Sequence, residues 1–303
     1  MNVGVVGGSG FIGSHIVDRL VDSGHTVTDF DIMPPHNPQA RHIYVDILDE
    51  SKAIVALAGE YDAVYLLAAM ANVGDVFKNP TQAVEVNVVG TANILEAARR
   101  HDIPRVILAS TVWIYSASST DICSEETPLV LSQVDHVYTA TKIAGEMLTY
   151  SYARLYGLKY TVLRYGIPYG PRARSGTVIA EFVKRAVKRE PIVIQGDGLQ
   201  KRRFIYVEDL AEANVKALSD KAANKTYNVE GPEDTTILEI AQKVNEMLGP
   251  IEIRFVEARP GDYHPKVVPN DSIERDLGWH PSTSFDVGLR RYIEWYKESH
   301  RPR

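Results

Sequence analysis

The sequence predicts an α/β protein: a doubly wound parallel sheet followed by a smaller mixed α/β domain. Three observations lead there. Short apolar runs alternate with segments of helical spacing through the first 165 residues. Two of those runs, V-I-L-A at 106–109 and T-V-L-R at 161–164, are almost continuously apolar, as strands covered on both faces must be. Beyond residue 165, glycine and proline cluster in G-I-P-Y-G-P-R and the later elements are smaller and mixed.

In order, residues 3–6 form a strand that runs into glycines. Residues 11–23 place Ile12, Ile16, Leu20 and Val21 on one helical face. Residues 26–30 and 42–45 read as the second and third strands, 51–57 as a helix and 63–67 as a buried strand. A long helical pattern covers 81–100, 105–109 is a strand, 132–156 includes a long helix, and 160–164 is another strand. A helix at 178–188 and a strand at 191–195 precede the turn Gly196-Asp197-Gly198. Helices near 207–218 and 237–248, a strand near 252–256 and a helix near 285–297 complete the chain. The expected division is a first domain of residues 1–165 with 204–230 returning to it. Residues 166–203 and 231–303 would then form a cap closing over the carboxyl edge of the sheet.

Composition narrows the partners. The 303 residues are 45% hydrophobic and 24% charged, an ordinary globular balance. Thirty-nine acidic against 33 basic residues leave a net charge of −6, which argues against nucleic acid or an anionic membrane as the main partner. The single cysteine, Cys123, allows no intrachain disulfide and no metal site of its own. The start runs straight into a strand and no apolar run approaches ~18 residues, so the expectation is a cytoplasmic protein with no signal peptide and no membrane span.

Gly7, Gly10 and Gly13 stand in G-G-S-G-F-I-G between the first strand and the first helix. Glycines there permit the tight turn and let the backbone approach a pyrophosphate at the helix N-terminus, the device of Rossmann dinucleotide-binding domains. Asp31 ends the second strand about 20 residues on, where a carboxylate binds the adenosine ribose and repels a 2′-phosphate. Ile32, Met33 and Pro34 follow, with no arginine for such a phosphate, so NAD is favoured over NADP. Asp46 ends the third strand within reach of an adenine amino group; a loop aspartate would look the same. Tyr138 and Lys142 are four apart in Y-T-A-T-K, on one face of a helix. An ammonium beside a phenol favours the phenolate, a usable base for an alcohol hydroxyl. The same spacing also describes an ordinary surface pair.

Taken together, the motifs resemble the extended short-chain dehydrogenase/reductase group, and within it the NAD-dependent nucleotide-sugar epimerases and dehydratases. The resemblance runs through G-x-x-G-x-x-G, L-L-A-A at 66–69, N-V-V-G-T-A-N-I-L-E-A-A at 87–98 and A-S-T-V-W-I-Y at 109–115. It continues through Y-T-A-T-K, L-R-Y-G-I-P-Y-G-P-R at 163–172, G-D-G-L-Q-K-R-R-F-I-Y-V-E-D-L at 196–210, A-R-P-G-D at 258–262 and L-G-W-H-P at 277–281. UDP-hexose 4-epimerases are nearest by pattern. The resemblance implies that Thr111 hydrogen-bonds the reacting hydroxyl, that Tyr138 is the base and that Lys142 is its partner. It carries Phe11, Ile12, Ile47, Ala68, Ala69, Asn87 and Tyr165 onto the cofactor, beside the glycines, Asp31, Asp46, Tyr138 and Lys142. Arg202 and Arg259 would hold the substrate diphosphate, a task that suits planar guanidinium groups, and Asp262 would lie near the nucleotide ribose. On bare sequence both arginines read as solvated surface. A homodimer is implied through a four-helix interface built from 81–100 and 132–156.

Family dehydratases carry an Asp-Glu pair just after the threonine, and UDP-glucuronate decarboxylases a glutamate. Here Val112 and Trp113 stand there. A site without that second acid can oxidise and re-reduce a carbon and is poorly equipped for more, which favours epimerisation of a UDP-sugar at C4. Two departures bear on the sugar. Gly166 and Ile167 replace the usual Phe-Asn, making the substrate pocket more apolar at Ile167. Arg174 aligns with an arginine that meets the sugar carboxylate in UDP-glucuronate 4-epimerases. A 4-ketoreductase or 4,6-dehydratase of deoxysugar synthesis is the alternative enzyme. A non-catalytic NAD-sensing module is the alternative of another class.

Overall fold

The computed structural model describes residues 1–257 and 266–301. Its first part alternates β1 (Asn2–Val6), α1 (Phe11–Asp22), β2 (Thr26–Asp31), β3 (Arg41–Tyr44), α2 (Glu50–Ala56) and β4 (Ala63–Leu66). Next come α3 (Val73–Lys78), α4 (Pro80–Val84), α5 (Gly90–Arg100), β5 (Arg105–Thr111), α6 (Val137–Tyr156) and β6 (Lys159–Tyr165). The second part continues with β7 (Ile167–Tyr169), α7 (Val178–Val187), β8 (Ile192–Gln195), β9 (Lys201–Tyr206), α8 (Val207–Lys216) and β10 (Lys225–Val229). Last come β11 (Asp234–Thr236), α9 (Ile237–Leu248), β12 (Ile253–Val256), α10 (Asp271–Leu277) and α11 (Phe285–Ser299).

Two compact units result. Unit 1 comprises Met1–Tyr165, Ala211–Val229 and Lys266–His280, and unit 2 comprises Gly166–Leu210, Glu230–Pro265 and Pro281–Arg303. Unit 1 holds a seven-stranded sheet of order β10-β6-β5-β4-β1-β2-β3, with every pair parallel. The order reverses between β1 and β4, the switch point beside which doubly wound sheets bind ligands at their carboxyl ends. Val6, Phe30, Leu66, Leu108 and Val162 from the sheet and Ile94 and Leu95 from α5 form its core. The register aligns Thr111 with Tyr165 and Tyr165 with Val229, so the ends of β5, β6 and β10 lie level.

Unit 2 holds a three-stranded sheet, β11-β9-β7, and a two-stranded one, β12-β8. Phe182, Val183, Ile194, Phe204, Ile240 and Leu289 pack its core. The boundary expected at residue 204 falls at 211. The reason is β9, which pairs with β7 and β11 and so keeps 204–210 in unit 2. Residues 266–280 return to unit 1, against expectation. Asp276 of α10 takes hydrogen bonds from Lys225 (2.7 Å) and Tyr227 (3.1 Å) of β10, and Val267 bridges Ile122.

The helix expected over 81–100 is interrupted by a π turn at Glu85–Val89, one residue wider than an α-turn. Among the described residues no helix is long and apolar enough to cross a membrane.

Candidate active site

The loop from β1 to α1 is built for close approach. Gly7 has φ of +89°, and a Cβ on it would lie 2.5 Å from the Ala68 nitrogen. A Cβ on Gly13 would lie 2.0 Å from the Gly7 oxygen, so the first turn of α1 rests directly on the loop. Gly10 caps α1 with no side-chain hydrogen bond, and no acid stands in the first turn. The free amides and the helix dipole at Phe11 and Ile12 therefore face outward with a positive potential. Ser9 N and Met33 N donate to the two carboxylate oxygens of Asp31 at 3.0 and 2.9 Å, which fixes its orientation at the end of β2. Asp46 is exposed and accepts from Leu48 N (3.0 Å). Ile47 is buried, and its carbonyl accepts from Asn93 (2.8 Å). Ala68 N donates to the Val6 carbonyl (2.9 Å), and half-buried Ala69 follows it past the end of β4. A glycine cradle, an uncapped helix N-terminus and an oriented ribose carboxylate fit a dinucleotide such as NAD.

Beside this cradle stand the candidate catalytic side chains. Thr111 is the last residue of β5 and is buried; its hydroxyl oxygen accepts from Trp113 N (3.2 Å), which leaves its own proton to donate elsewhere. Tyr138 and Lys142 lie on the first turns of α6, and Lys142 Nζ donates to the carbonyl of Ala109, two residues before Thr111, at 2.9 Å. Burial pulls the Lys142 ammonium down to about 8, and the charge of Glu146 one turn further on works against that. Asn87 is buried in the π turn. Its amide oxygen accepts from Met70 N (2.7 Å), and its two amide protons go to the Met70 carbonyl (3.0 Å) and Thr141 Oγ1 (3.0 Å). Thr141 in turn donates to the Tyr138 carbonyl (2.7 Å). Asn87 thus ties the segment after β4 to the start of α6, and a second lone pair on its amide oxygen remains to accept from a ligand. The buried hydroxyl of Tyr165 donates to Asn214 Oδ1 at 2.6 Å, which fixes the ring at the end of β6. Val112 is buried with Tyr115, Cys123 and Ile143, and Trp113 packs against that cluster.

In unit 2, Ile167 and Arg202 line a cavity of about 590 Å³ together with Phe182, Arg185, Gln195 and Phe204. Arg174 is exposed. Arg259 and Asp262 lie outside the described residues.

The model of the NAD dependent epimerase/dehydratase family matches residues 3–229. The chain belongs to this family. It is 32% identical to a putative UDP-glucose 4-epimerase of Methanocaldococcus jannaschii, over 98% of this chain and 99% of that one. It is 30% identical to a UDP-N-acetyl-alpha-D-glucosaminuronate decarboxylase of Bacillus cytotoxicus, over 97% of each. Among solved structures, the UDP-glucose 4-epimerase of Thermus thermophilus in complex with NAD superposes with a TM-score of 0.88 at 32% identity, covering 98% of this chain and 99% of that one. The chain is thus an enzyme of the NAD-dependent epimerase/dehydratase family, and its cofactor is NAD.

Two features of this family member escaped the sequence. Behind the catalytic helix, Glu146 and Arg164 form a buried ion pair (2.8 Å), and Glu146 also accepts from Ser110 and from Tyr150 (3.0 Å). Arg164 donates to the Tyr115 hydroxyl (2.6 Å). The signal was present: Glu146 is four residues after Lys142, and Arg164 is a lone charge in an apolar strand. The second feature explains Gly166. A Cβ there would lie 1.9 Å from Glu230 Oε1, so the buried Glu230 carboxyl occupies the space a side chain at 166 would need. Burial pushes this carboxyl up to about 8, against the Gly231 amide and the Arg203 charge.

Proposed function

We propose that this chain is a nucleotide-sugar 4-epimerase, acting on a UDP-sugar and regenerating NAD⁺ in every cycle. The observation that carries this reading is the composition of the unit 1 site. Thr111, Tyr138 and Lys142 are all present there, while Val112, where a second acid would stand, is turned into a hydrophobic cluster.

Tyr138 takes the proton of the 4-hydroxyl, and the Lys142 ammonium favours the phenolate. Thr111 donates its free proton to the reacting oxygen. When bound, the nicotinamide supplies the acceptor for the C4 hydride and its return to the opposite face. Arg202, which lines a cavity in unit 2, is assigned to the nucleotide diphosphate; binding energy at the non-reacting end of a substrate is what retains a sugar through such a cycle. Arg259 and Asp262 belong to the same expected grip. Exposed Val84, Val89, Met147 and Leu155 on the 81–100 and α6 helices support a homodimer through those helices.

The test is a panel of UDP-glucose, UDP-glucuronate and their N-acetyl relatives with no cofactor added, beside a second arm that supplies NADH and a 4-keto nucleotide sugar. Inversion at C4 in the first arm supports the epimerase. Net NADH consumption in the second supports a ketoreductase, CO₂ release a decarboxylase, loss of water a dehydratase, and bound cofactor without turnover a sensor module. Tyr138→Phe is expected to lower turnover at least ~100-fold while nucleotide-sugar binding persists; normal turnover would refute the assignment. A uronic acid substrate is tied to Arg174: full activity of Arg174→Ala on UDP-glucuronate would remove that residue's role, and no wild-type activity on UDP-glucuronate would remove the substrate.

A further inference from the structure

Asp29 is a fully buried aspartate in the middle of β2, two residues before the ribose carboxylate Asp31. Its Oδ2 lies 2.8 Å from Ser9 Oγ, and the same Ser9 Oγ lies 2.9 Å from the Met33 carbonyl. A hydroxyl has one proton. The Met33 carbonyl is an acceptor only, and so is an ionised carboxylate. With Asp29 ionised, one of the two contacts has no proton between its oxygens. Asp29 Oδ1 accepts no hydrogen bond of good geometry, the Gly8 amide giving the carboxyl only weak support, and it fills the space where a Cβ on Gly8 would lie 2.4 Å away. A buried carboxylate charge supported so thinly is costly, whereas a carboxylic acid is neutral and supplies the proton that the Ser9–Met33 pair otherwise lacks. Its hydroxyl donates to Ser9 Oγ, and Ser9 donates to Met33 O.

We propose that Asp29 is a positioning residue for the cofactor's adenosine end. As a neutral acid it closes the chain Asp29–Ser9–Met33, which clasps the glycine loop to the end of β2 and holds Asp31 in place. Ser9 is the shared element, because its backbone nitrogen is one of the two donors that orient Asp31. No proton leaves the site: the acid keeps its own, and the serine turns its proton toward Met33.

The surroundings agree in direction. Burial raises the Asp29 carboxyl to about 6, with the Ser9 bond opposing, the Asp31 charge adding, and His42 and the Gly8 amide opposing. Asp31 on its own strand and His42 on β3 are the charged or titratable groups facing it. His42 is its register partner, with Nε2 also unpartnered, while Val5 of β1 is its apolar neighbour in register. Ionisation of Asp29 therefore opens the clasp as pH rises through this range.

The test is NAD⁺ affinity of the full-length protein, stripped of cofactor, measured calorimetrically from pH 5 to pH 8. It needs no substrate and is independent of the epimerase reading. Wild type is expected to weaken about tenfold across the range, the equivalent of one pKa unit of linkage. Asp29→Asn, whose amide donates to Ser9 without a charge, is expected to bind with the acid-limb affinity at every pH. Ser9→Ala, which breaks the clasp while keeping the Asp29 carboxyl, is expected to bind weakly and without this pH dependence. A ¹³C carboxyl titration of Asp29, assigned by its loss in Asp29→Asn, is expected to move upward when NAD⁺ is added. Parallel wild-type and Asp29→Asn profiles would overturn the proposal and transfer the effect to His42 or Asp31. An Asp29 titration unmoved by NAD⁺ would overturn it as well.

Discussion

Replacing Glu146 by glutamine removes one buried negative charge at nearly constant volume, and its main effect should be felt at Lys142. The two residues are one helical turn apart on α6, where side chains sit about 6 Å from each other. At an effective dielectric of ~20 that separation corresponds to about 3 kcal/mol of attraction. Arg164, 2.8 Å from the carboxylate, offsets part of it. About 1–2 kcal/mol remains, a five- to thirtyfold fall in the proton affinity of the ammonium. Because burial has already brought Lys142 down to about 8, the variant's lysine would be largely neutral under conditions where the wild type is charged. On the proposed function, the Tyr138 phenolate then loses its partner, and the alkaline limb of kcat/KM for C4 inversion moves to lower pH. A ¹³Cε lysine titration, assigned by Lys142→Arg, reads the same shift without substrate. The glutamine still accepts from Ser110, but it leaves Arg164 without a counter-charge. The variant should therefore be less stable by about 3 kcal/mol and be assayed well below its Tm. A Lys142 titration unchanged in a folded Glu146→Gln protein would refute the reasoning, whatever happened to the rate.

Other outcomes follow from single contacts. Gly13→Ala puts a methyl 2.0 Å from the Gly7 carbonyl, backbone against backbone, so NAD⁺ binding should fall at least ~10-fold by calorimetry with a lower Tm. The folded state holds the Glu230 proton more tightly than the unfolded chain does. Its stabilising contribution is thus complete below the ordinary glutamate value of 4.5 and lost as pH rises through about 8, up to about 5 kcal/mol in all. Denaturant melts should show this decline in wild type and a flatter profile in Glu230→Gln. Asn87→Ala removes three hydrogen bonds between the segment after β4 and α6. It should lower kcat more than it raises KM for the nucleotide sugar, with a stability loss of about 2–3 kcal/mol in thermal melts.

The unit 1 sheet was readable because its strands are apolar on both faces and its helices keep one apolar side. β9 and β10 were hidden for a common reason. K-R-R-F-I-Y begins with three cations, one of which pairs with Asp234 across β11, and K-T-Y-N-V buries Asn228 against the Tyr115 hydroxyl. Polar residues satisfied by distant partners do not announce a strand. The unbroken helix expected over 81–100 was nearly right, but one extra residue in a turn leaves no mark in composition. Within the site, the glycine loop and the Tyr138–Lys142 spacing were legible because their chemistry is local in sequence. Arg164, Asp29 and Glu230 were not, since each acquires its role from a residue at least 18 positions away, and Glu146, four residues from Lys142, is held in place by Arg164 across the same distance.

The meeting of Gly166 and Glu230 also couples the two positions. A side chain at 166 would need the space that the Glu230 carboxyl fills, so the carboxyl would have to swing out of its buried place. Glycine at 166 is what lets the acid stay where burial holds its proton. Restoring phenylalanine and asparagine at 166 and 167 should therefore displace the Glu230 carboxyl, and the pH dependence of stability that it carries should shrink with it.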